Sequence, residues 1–230
     1  MSVAACLERV TGVLLVGGAS RRFGSPKALA RFGEKTFADI AWERLAWCDE
    51  RLACGKLVDG LPLPFPVRDD DSLVRAPLAG VVAGLRAACF DVIVALPVDL
   101  PLVTDEALQT LVSACTGDAA VPQAGPLPGA YRRSALPVLG RRLRAGDLAL
   151  TAALVELETC VIEVDPSVLA NVNRPQDLPP APTHARGSRF CRPDEAIALR
   201  DERQGLGTRG KDCPSLGLFS RGRDIFFDDV

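Results

Sequence analysis

Residues 14–27 read Leu-Leu-Val-Gly-Gly-Ala-Ser-Arg-Arg-Phe-Gly-Ser-Pro-Lys, and they continue an apolar, β-rich run that begins at Val10. A strand that ends in paired glycines lets the backbone turn without a Cβ clash and presents several N–H groups to one point. Arg21, Arg22 and Lys27 add positive charge near that point. The stretch matches neither G-x-x-x-x-G-K-[ST] nor G-x-G-x-x-G. It therefore favours a phosphate-binding loop, with an ordinary surface loop of solvated charges as the alternative.

Strands and helices alternate from this loop onward. Strands are predicted at 10–16, 91–96, 119–121 and 160–164, and helices at 36–48, 77–89, 104–115, 134–144 and 148–157. Thr104 is the expected N-cap of the third helix, because acidic residues follow it in the first turn. Regular alternation of this kind predicts an α/β fold with a mostly parallel sheet covered by helices on both faces.

The composition of the chain changes near residue 180. Residues 181–230 contain 17 charged residues and follow a proline-rich join, whereas residues 1–180 contain the other 39. Consecutive prolines favour an extended linker. We therefore expect one domain over residues 1–180. The Arg- and Gly-rich tail over 181–230 is expected to be disordered or loosely attached, or else to form a small partner-binding element.

Composition also narrows the function. The net charge of −2 argues against a dedicated nucleic-acid binder, and the absence of an 18-residue apolar run argues against a membrane protein. We therefore expect a cytoplasmic protein. Eight cysteines without a C-x-x-C pair argue against zinc, and the one histidine, His184, leaves no serine or cysteine nucleophile pair. Of the four lysines, Lys27 alone is expected where a phosphate chain would lie.

Three further groups of polar residues are candidates for a site. Asp99 follows an apolar strand between two prolines, where it could hold a divalent cation or be an N-terminal cap or turn aspartate. The run 69–71 consists of three aspartates, which read as a solvated loop unless one of them contacts a base or ribose. Asn171 and Asn173 share one face of an extended segment, and helix capping by Asn173 is as good an interpretation as ligand binding.

Five ordered motifs carry a resemblance to a known family. They are LLVGGASRRFGSPK at 14–27, APLAG at 76–80, LPVDLP at 96–101, PLPGAYRR at 126–133 and NVNRPQDL at 171–178. In order and interval these motifs resemble the molybdenum cofactor guanylyltransferases, which are nucleotidyltransferases with a Rossmann-like three-layer α/β/α fold. The resemblance implies transfer of GMP from GTP to molybdopterin with Mg²⁺, forming molybdopterin guanine dinucleotide and pyrophosphate. Molybdoenzymes or other maturation proteins are further partners under this interpretation.

The same resemblance implies roles for individual residues. Contacts to the guanine nucleotide are expected from Leu15, Val16, Gly17, Gly18, Lys27, Asp99 and one of Asp69 and Asp70, between which the alignment does not choose. Asp99 would bind the metal, and Lys27, Asp99 and Arg22 would form the catalytic set. Arg22, Asn171 and Asn173 would face the pterin.

Some positions depart from the family pattern, and rival functions stay open. Val16, Phe23 and Ala76 replace the usual Ala, Met and Gly, and the region 51–66 is compressed. A cytidylyltransferase, or an enzyme acting on a sugar phosphate or phospholactate, is the nearest alternative, although the glycine pair 17–18 favours guanine. A non-catalytic nucleotide-binding adaptor for molybdoenzyme maturation is the other alternative, and the presence of Lys27 and Asp99 argues against it.

Overall fold

The computed structural model describes residues 8–17 and 26–172. The strands in these ranges are β1 (Val10–Leu15), β2 (Arg31–Phe32), β3 (Lys35–Thr36), β4 (Glu50–Gly55), β5 (Val67–Asp69), β6 (Val92–Pro97), β7 (Ala119–Pro122), β8 (Gly129–Arg132) and β9 (Thr159–Ile162). The α-helices are α1 (Phe37–Arg44), α2 (Pro77–Ala87), α3 (Asp105–Ala114), α4 (Leu136–Ala145) and α5 (Leu150–Ala153). The predictions for Gly18, Arg22, Asn173 and the tail concern residues outside these ranges.

Seven of these strands form one sheet in the order β5-β4-β1-β6-β8-β7-β9. The pairs β5·β4, β4·β1, β1·β6 and β7·β9 are parallel, whereas β8 runs antiparallel to both β6 and β7. The prediction of a mostly parallel sheet is therefore confirmed. β2 and β3 form a separate hairpin that leads into α1.

Alternate side chains of the central strands enter two separate cores. On β1, Val10 and Leu14 pack in the cluster that includes residues of α1 and α3, whereas Val13 and Leu15 pack in the cluster that includes α2 and α4. All four are buried, as a strand in the centre of a doubly covered sheet requires. Each such side chain contributes about 1.5–3 kcal/mol of burial. The sheet thus lies between two helical layers, which confirms the three-layer α/β/α architecture.

Helix α2 packs unusually close to β1. A Cβ at Gly80 would lie 2.8 Å from Cδ2 of Leu15, and one at Gly84 would lie 2.8 Å from Cγ1 of Val13. The helix begins at Pro77, whose missing N–H costs nothing at this position. This close approach brings the N-terminal turn of α2 to the edge of the sheet where the parallel strands end.

The predicted helix cap at Thr104 is confirmed, whereas one predicted helix is shorter and three strands of the sheet were missed. Thr104 caps α3, since its hydroxyl oxygen accepts a hydrogen bond from the Ala107 N–H at 3.3 Å. The helix expected over 148–157 is shorter than predicted, because α5 covers one turn and a 3₁₀ turn, Leu154–Glu156, follows it. Strands β4, β5 and β8 were not predicted. None of the helices in the described part of the chain is long and apolar enough to cross a membrane.

Candidate active site

A cavity of about 600 Å³ opens where β1, β4 and β6 end, with Leu15, Gly55 and Pro97 in its wall. This is the edge at which open α/β sheets bind ligands, and the volume falls in the range of about 300–1,000 Å³ found for small-molecule sites. Ala76 and Pro77 place the first turn of α2 in the same wall. No side chain caps that turn, so its backbone N–H groups and the positive end of the helix dipole favour an anion there.

Lys27 and Asp99 form an ion pair in this cavity. The Lys27 Nζ donates to Asp99 Oδ2 at 3.2 Å, and the two side chains are 17% and 23% exposed. Lys27 begins a 3₁₀ turn after the glycine loop, and Asp99 lies two residues beyond β6. Because Thr104 caps α3, Asp99 is not a helix cap. Both charges predicted for phosphate and metal binding therefore lie together in the cavity.

Asn171 joins this pair from 72 positions further along the chain. In the amide orientation that directs its nitrogen towards the aspartate, Asn171 donates to Asp99 Oδ2 at 2.9 Å and to Asp99 O at 3.1 Å. The Val172 N–H also donates to the Asp99 carbonyl at 3.0 Å, and the Val172 side chain is buried. This contact brings the predicted pterin-facing segment to the predicted metal ligand.

The neighbouring aspartates Asp69 and Asp70 lie in different surroundings. Asp70 is 7% exposed and lines the cavity, so the solvated-loop interpretation is wrong for this residue. The Asp69 carboxylate accepts hydrogen bonds from the Leu57 and Asp71 N–H groups, each at 2.9 Å, and these bonds lower its pKa. Asp69 thus stabilises the backbone at Leu57 and Asp71, whereas Asp70 is the aspartate in a position to contact a ligand.

Lys56 is a site residue that sequence reasoning missed. It directly follows β4, lines the cavity and forms an ion pair with Asp70. Lys56 is thus a second lysine in the cavity that holds Lys27, whereas the expectation that Lys27 alone lies at the phosphate chain stays a prediction. Recognition of β4 as a strand would have supplied the signal, since residues that directly follow parallel strands reach this edge of the sheet.

Asp59 and Arg75 border the cavity, and Cys54 forms part of its wall. The Arg75 guanidinium binds the Asp59 carboxylate through two hydrogen bonds of 2.6 and 2.7 Å, which lower the pKa of Asp59. Burial raises the pKa of the Cys54 thiol to about 12. Cys54 is therefore an uncharged wall residue at neutral pH rather than a nucleophile.

The family model for the MobA-like NTP transferase domain matches residues 12–159. The chain belongs to this family. The MobA-like domain is a nucleotidyltransferase, so the chain is an enzyme of that class.

Relatives and solved structures agree with this assignment. The probable molybdenum cofactor guanylyltransferase of Deinococcus radiodurans is 35% identical over 182 residues, which cover 74% of this chain and 92% of that protein. The molybdenum cofactor guanylyltransferase of Desulfosudis oleivorans is 26% identical over 205 residues, covering 80% of this chain and 100% of that protein. The structure of molybdopterin-guanine dinucleotide biosynthesis protein A from Archaeoglobus fulgidus superposes with a TM-score of 0.64 at 24% identity, covering 73% and 94% of the two chains. This last likeness shows that the two share a fold.

Proposed function

We propose that this MobA-like transferase is a molybdenum cofactor guanylyltransferase, which transfers GMP from GTP to molybdopterin and releases pyrophosphate. The observation that carries the proposal is the Lys27–Asp99 pair, which lies at the end of β6 in a cavity large enough for a nucleotide. The names of the curated relatives support the guanylyl and molybdopterin assignments.

The cavity suggests how GTP is oriented. We assign the phosphates to the side that carries Lys27 and Asp99, since a cation and a metal-binding carboxylate are what a triphosphate requires. We assign the nucleoside to the side that carries Asp70, whose carboxylate can accept a hydrogen bond from a base N–H or a ribose O–H. Backbone groups of Leu15, Val16 and Gly17 would contact the nucleotide between these sides, and Gly18 stays a predicted contact.

The proposed reaction needs no general base. An oxygen of the terminal phosphate of molybdopterin attacks the α-phosphorus of GTP, and the bond from that phosphorus to the oxygen leading to the β-phosphate breaks. The attacking oxygen is already ionised near neutral pH, so no proton has to be removed from it during the attack. Catalysis then depends on holding two anions in line and neutralising the charge that develops. Lys27 would stabilise that charge, and Arg22 would assist from the loop.

Magnesium fits the residues of this site. Residues 8–17 and 26–172 contain no group of three acidic, cysteine or histidine side chains arranged to hold a metal ion, so those residues offer no complete protein cage for a metal. Mg²⁺ is commonly held by one or two carboxylates together with phosphate oxygens and waters. Asp99, partly exposed in the cavity, would be the protein ligand. The bound ion would neutralise charge on the phosphates.

The residues that bind the acceptor, molybdopterin, stay a prediction. We propose that Arg22, Asn171 and Asn173 face the pterin, because the contact of Asn171 with Asp99 brings this segment beside the proposed reaction centre. Molybdoenzymes or maturation proteins as recipients, and a cytoplasmic location, stay predictions as well.

A transfer assay with labelled nucleotide tests the function. We expect the purified protein, molybdopterin, Mg²⁺ and GTP to yield the guanine dinucleotide and an equal amount of pyrophosphate, with little product from CTP or ATP. A preference for CTP would refute the guanylyl assignment. If titration calorimetry detects no binding of GTP, CTP or ATP, the proposed nucleotidyl transfer is refuted.

A further inference from the structure

Lys56 and Asp70 face each other because β4 and β5 run parallel in register. Gly55 pairs with Asp69 in the ladder, and the Asp70 N–H donates to the Gly55 carbonyl at 3.0 Å. Lys56 and Asp70 each follow their strand by one residue, so the same register brings them side by side. The ion pair is therefore built into the pairing of two strands rather than formed by loose surface side chains.

Burial makes this pair different from the others at the surface. The side chains of Lys56 and Asp70 are 8% and 7% exposed, whereas both side chains of the Lys35–Glu43 pair are more than half exposed. Removing two charges from water is costly, and each needs its partner and further hydrogen bonds to offset that cost. The Lys56 ammonium meets this need by contacting both the Asp70 carboxylate and the Ser72 carbonyl.

The hydrogen bonds leave one oxygen of Asp70 available. Oδ1 accepts from Lys56 Nζ and from the Ser72 N–H, the latter at 3.1 Å. Within the described part of the chain, Oδ2 accepts no hydrogen bond, and Asp70 lines the cavity. Lys56 and Ser72 thus hold the carboxylate by one oxygen and leave the other for a ligand donor.

We infer that Lys56 is a positioning residue, which holds the Asp70 carboxylate in the orientation that binds the nucleoside part of GTP. This inference rests on the proposed function. Lys56 acts on nucleotide affinity through Asp70 and not on the transfer step, because Lys27 and Asp99 supply the charges at the proposed phosphate position.

Steady-state kinetics of the full chain test this role. We expect Lys56→Met to raise the KM for GTP by about 10- to 100-fold, the effect of one hydrogen bond to a charged group, with kcat within about twofold of wild type. Lys56→Arg keeps the charge and should recover part of the affinity. Lys35→Met is the matched control, since Lys35 lies outside the cavity, and it should leave both constants unchanged.

A double-mutant cycle separates positioning from a direct contact. Lys56→Met leaves the Asp70 carboxylate without its buried partner and can impair folding, but Asp70→Asn removes that charge. We expect Asp70→Asn alone and Asp70→Asn combined with Lys56→Met to share one KM for GTP within about twofold, because residues that act through one group are not additive. A further tenfold rise in the double variant would show that Lys56 contacts the nucleotide itself and would overturn the inference.

Other outcomes are equally decisive. A folded Lys56→Met protein with unchanged KM, or with a lower kcat at unchanged KM, overturns the positioning role. If wild type neither binds GTP nor transfers GMP, the proposed function fails before any variant is compared. If wild type does both and Lys56→Met matches it, the inference about Lys56 alone fails.

Discussion

Replacing Asp99 with asparagine tests the centre of the proposed site with little change of shape. Asparagine keeps an oxygen and the side-chain volume but loses the negative charge that faces Lys27 at 3.2 Å. The backbone carbonyl of residue 99 still accepts from the Val172 N–H at 3.0 Å, so the connection to the 171–172 segment is retained. The substitution therefore removes the negative charge from the site and keeps the backbone contact that holds residue 99 against the 171–172 segment.

The size of the effect follows from the charge and its exposure. Two unit charges 3.2 Å apart attract by about 5 kcal/mol at an effective dielectric constant of about 20. This attraction gives the scale of one unit charge at this position, and solvent weakens it because Asp99 is 23% exposed. For the transition state we take about 4 kcal/mol, the upper end of the cost of removing one group that stabilises the developing charge. At 1.36 kcal/mol per decade, kcat should fall by about 10³-fold. The free energy of unfolding should change by about 1 kcal/mol or less, because the ion pair is partly exposed.

The assay measures GMP transfer at saturating substrates and urea unfolding of the same preparations. Asp105→Asn is the control, since Asp105 also forms an ion pair, with Arg44 at 3.4 Å, but does not line the cavity. The control should keep its kcat within about twofold of wild type, as expected for a half-exposed surface pair. A folded Asp99→Asn protein that retains more than a tenth of wild-type kcat would refute the assignment of Asp99.

Three further predictions concern charge, packing and pH. Lys27→Met should lower kcat/KM by about 10²- to 10³-fold in the transfer assay, because it removes one donor that stabilises the developing charge. An equal loss of kcat/KM in the control Lys35→Met would contradict the role of Lys27. Gly84→Val should destabilise the fold by about 3 kcal/mol in urea, because the new Cβ would lie 2.8 Å from the buried Val13 side chain; an unchanged midpoint would show that the packing is looser. Burial raises the pKa of Cys54 from 9.0 to about 12, so above pH 9 the unfolded chain releases this proton while the folded chain keeps it. The free energy of unfolding should then fall by up to about 1.4 kcal/mol per pH unit between pH 9 and 12, and Cys54→Ala should show a shallower slope; equal slopes would argue against the shift.

Long periodic segments and turn signals were predictable, whereas short polar strands were not. β6 is an unbroken apolar run that ends at Pro97, β1 is mostly apolar and lies shortly before the glycine pair, and Thr104 carries a clear capping signal. β4 reads Glu-Arg-Leu-Ala-Cys-Gly, without the strict alternation or continuous apolar run that identifies a strand. β5 is three residues long, too short for any periodicity. Lys56 was missed as a consequence, because its importance depends on following β4.

The sequence by itself determined the glycine-ended strand, the β/α alternation, the family and the candidates Lys27 and Asp99, since all of these depend on residues near one another in the chain. The tertiary structure decided which candidates share a site. Neighbouring side chains along a strand point to opposite faces, so the register of β5 on β4 brings Asp70 and not Asp69 into the cavity beside Lys56. Asn171 meets Asp99 across 72 positions of chain. Local propensities do not encode such contacts, because only the packed sheet brings these residues together.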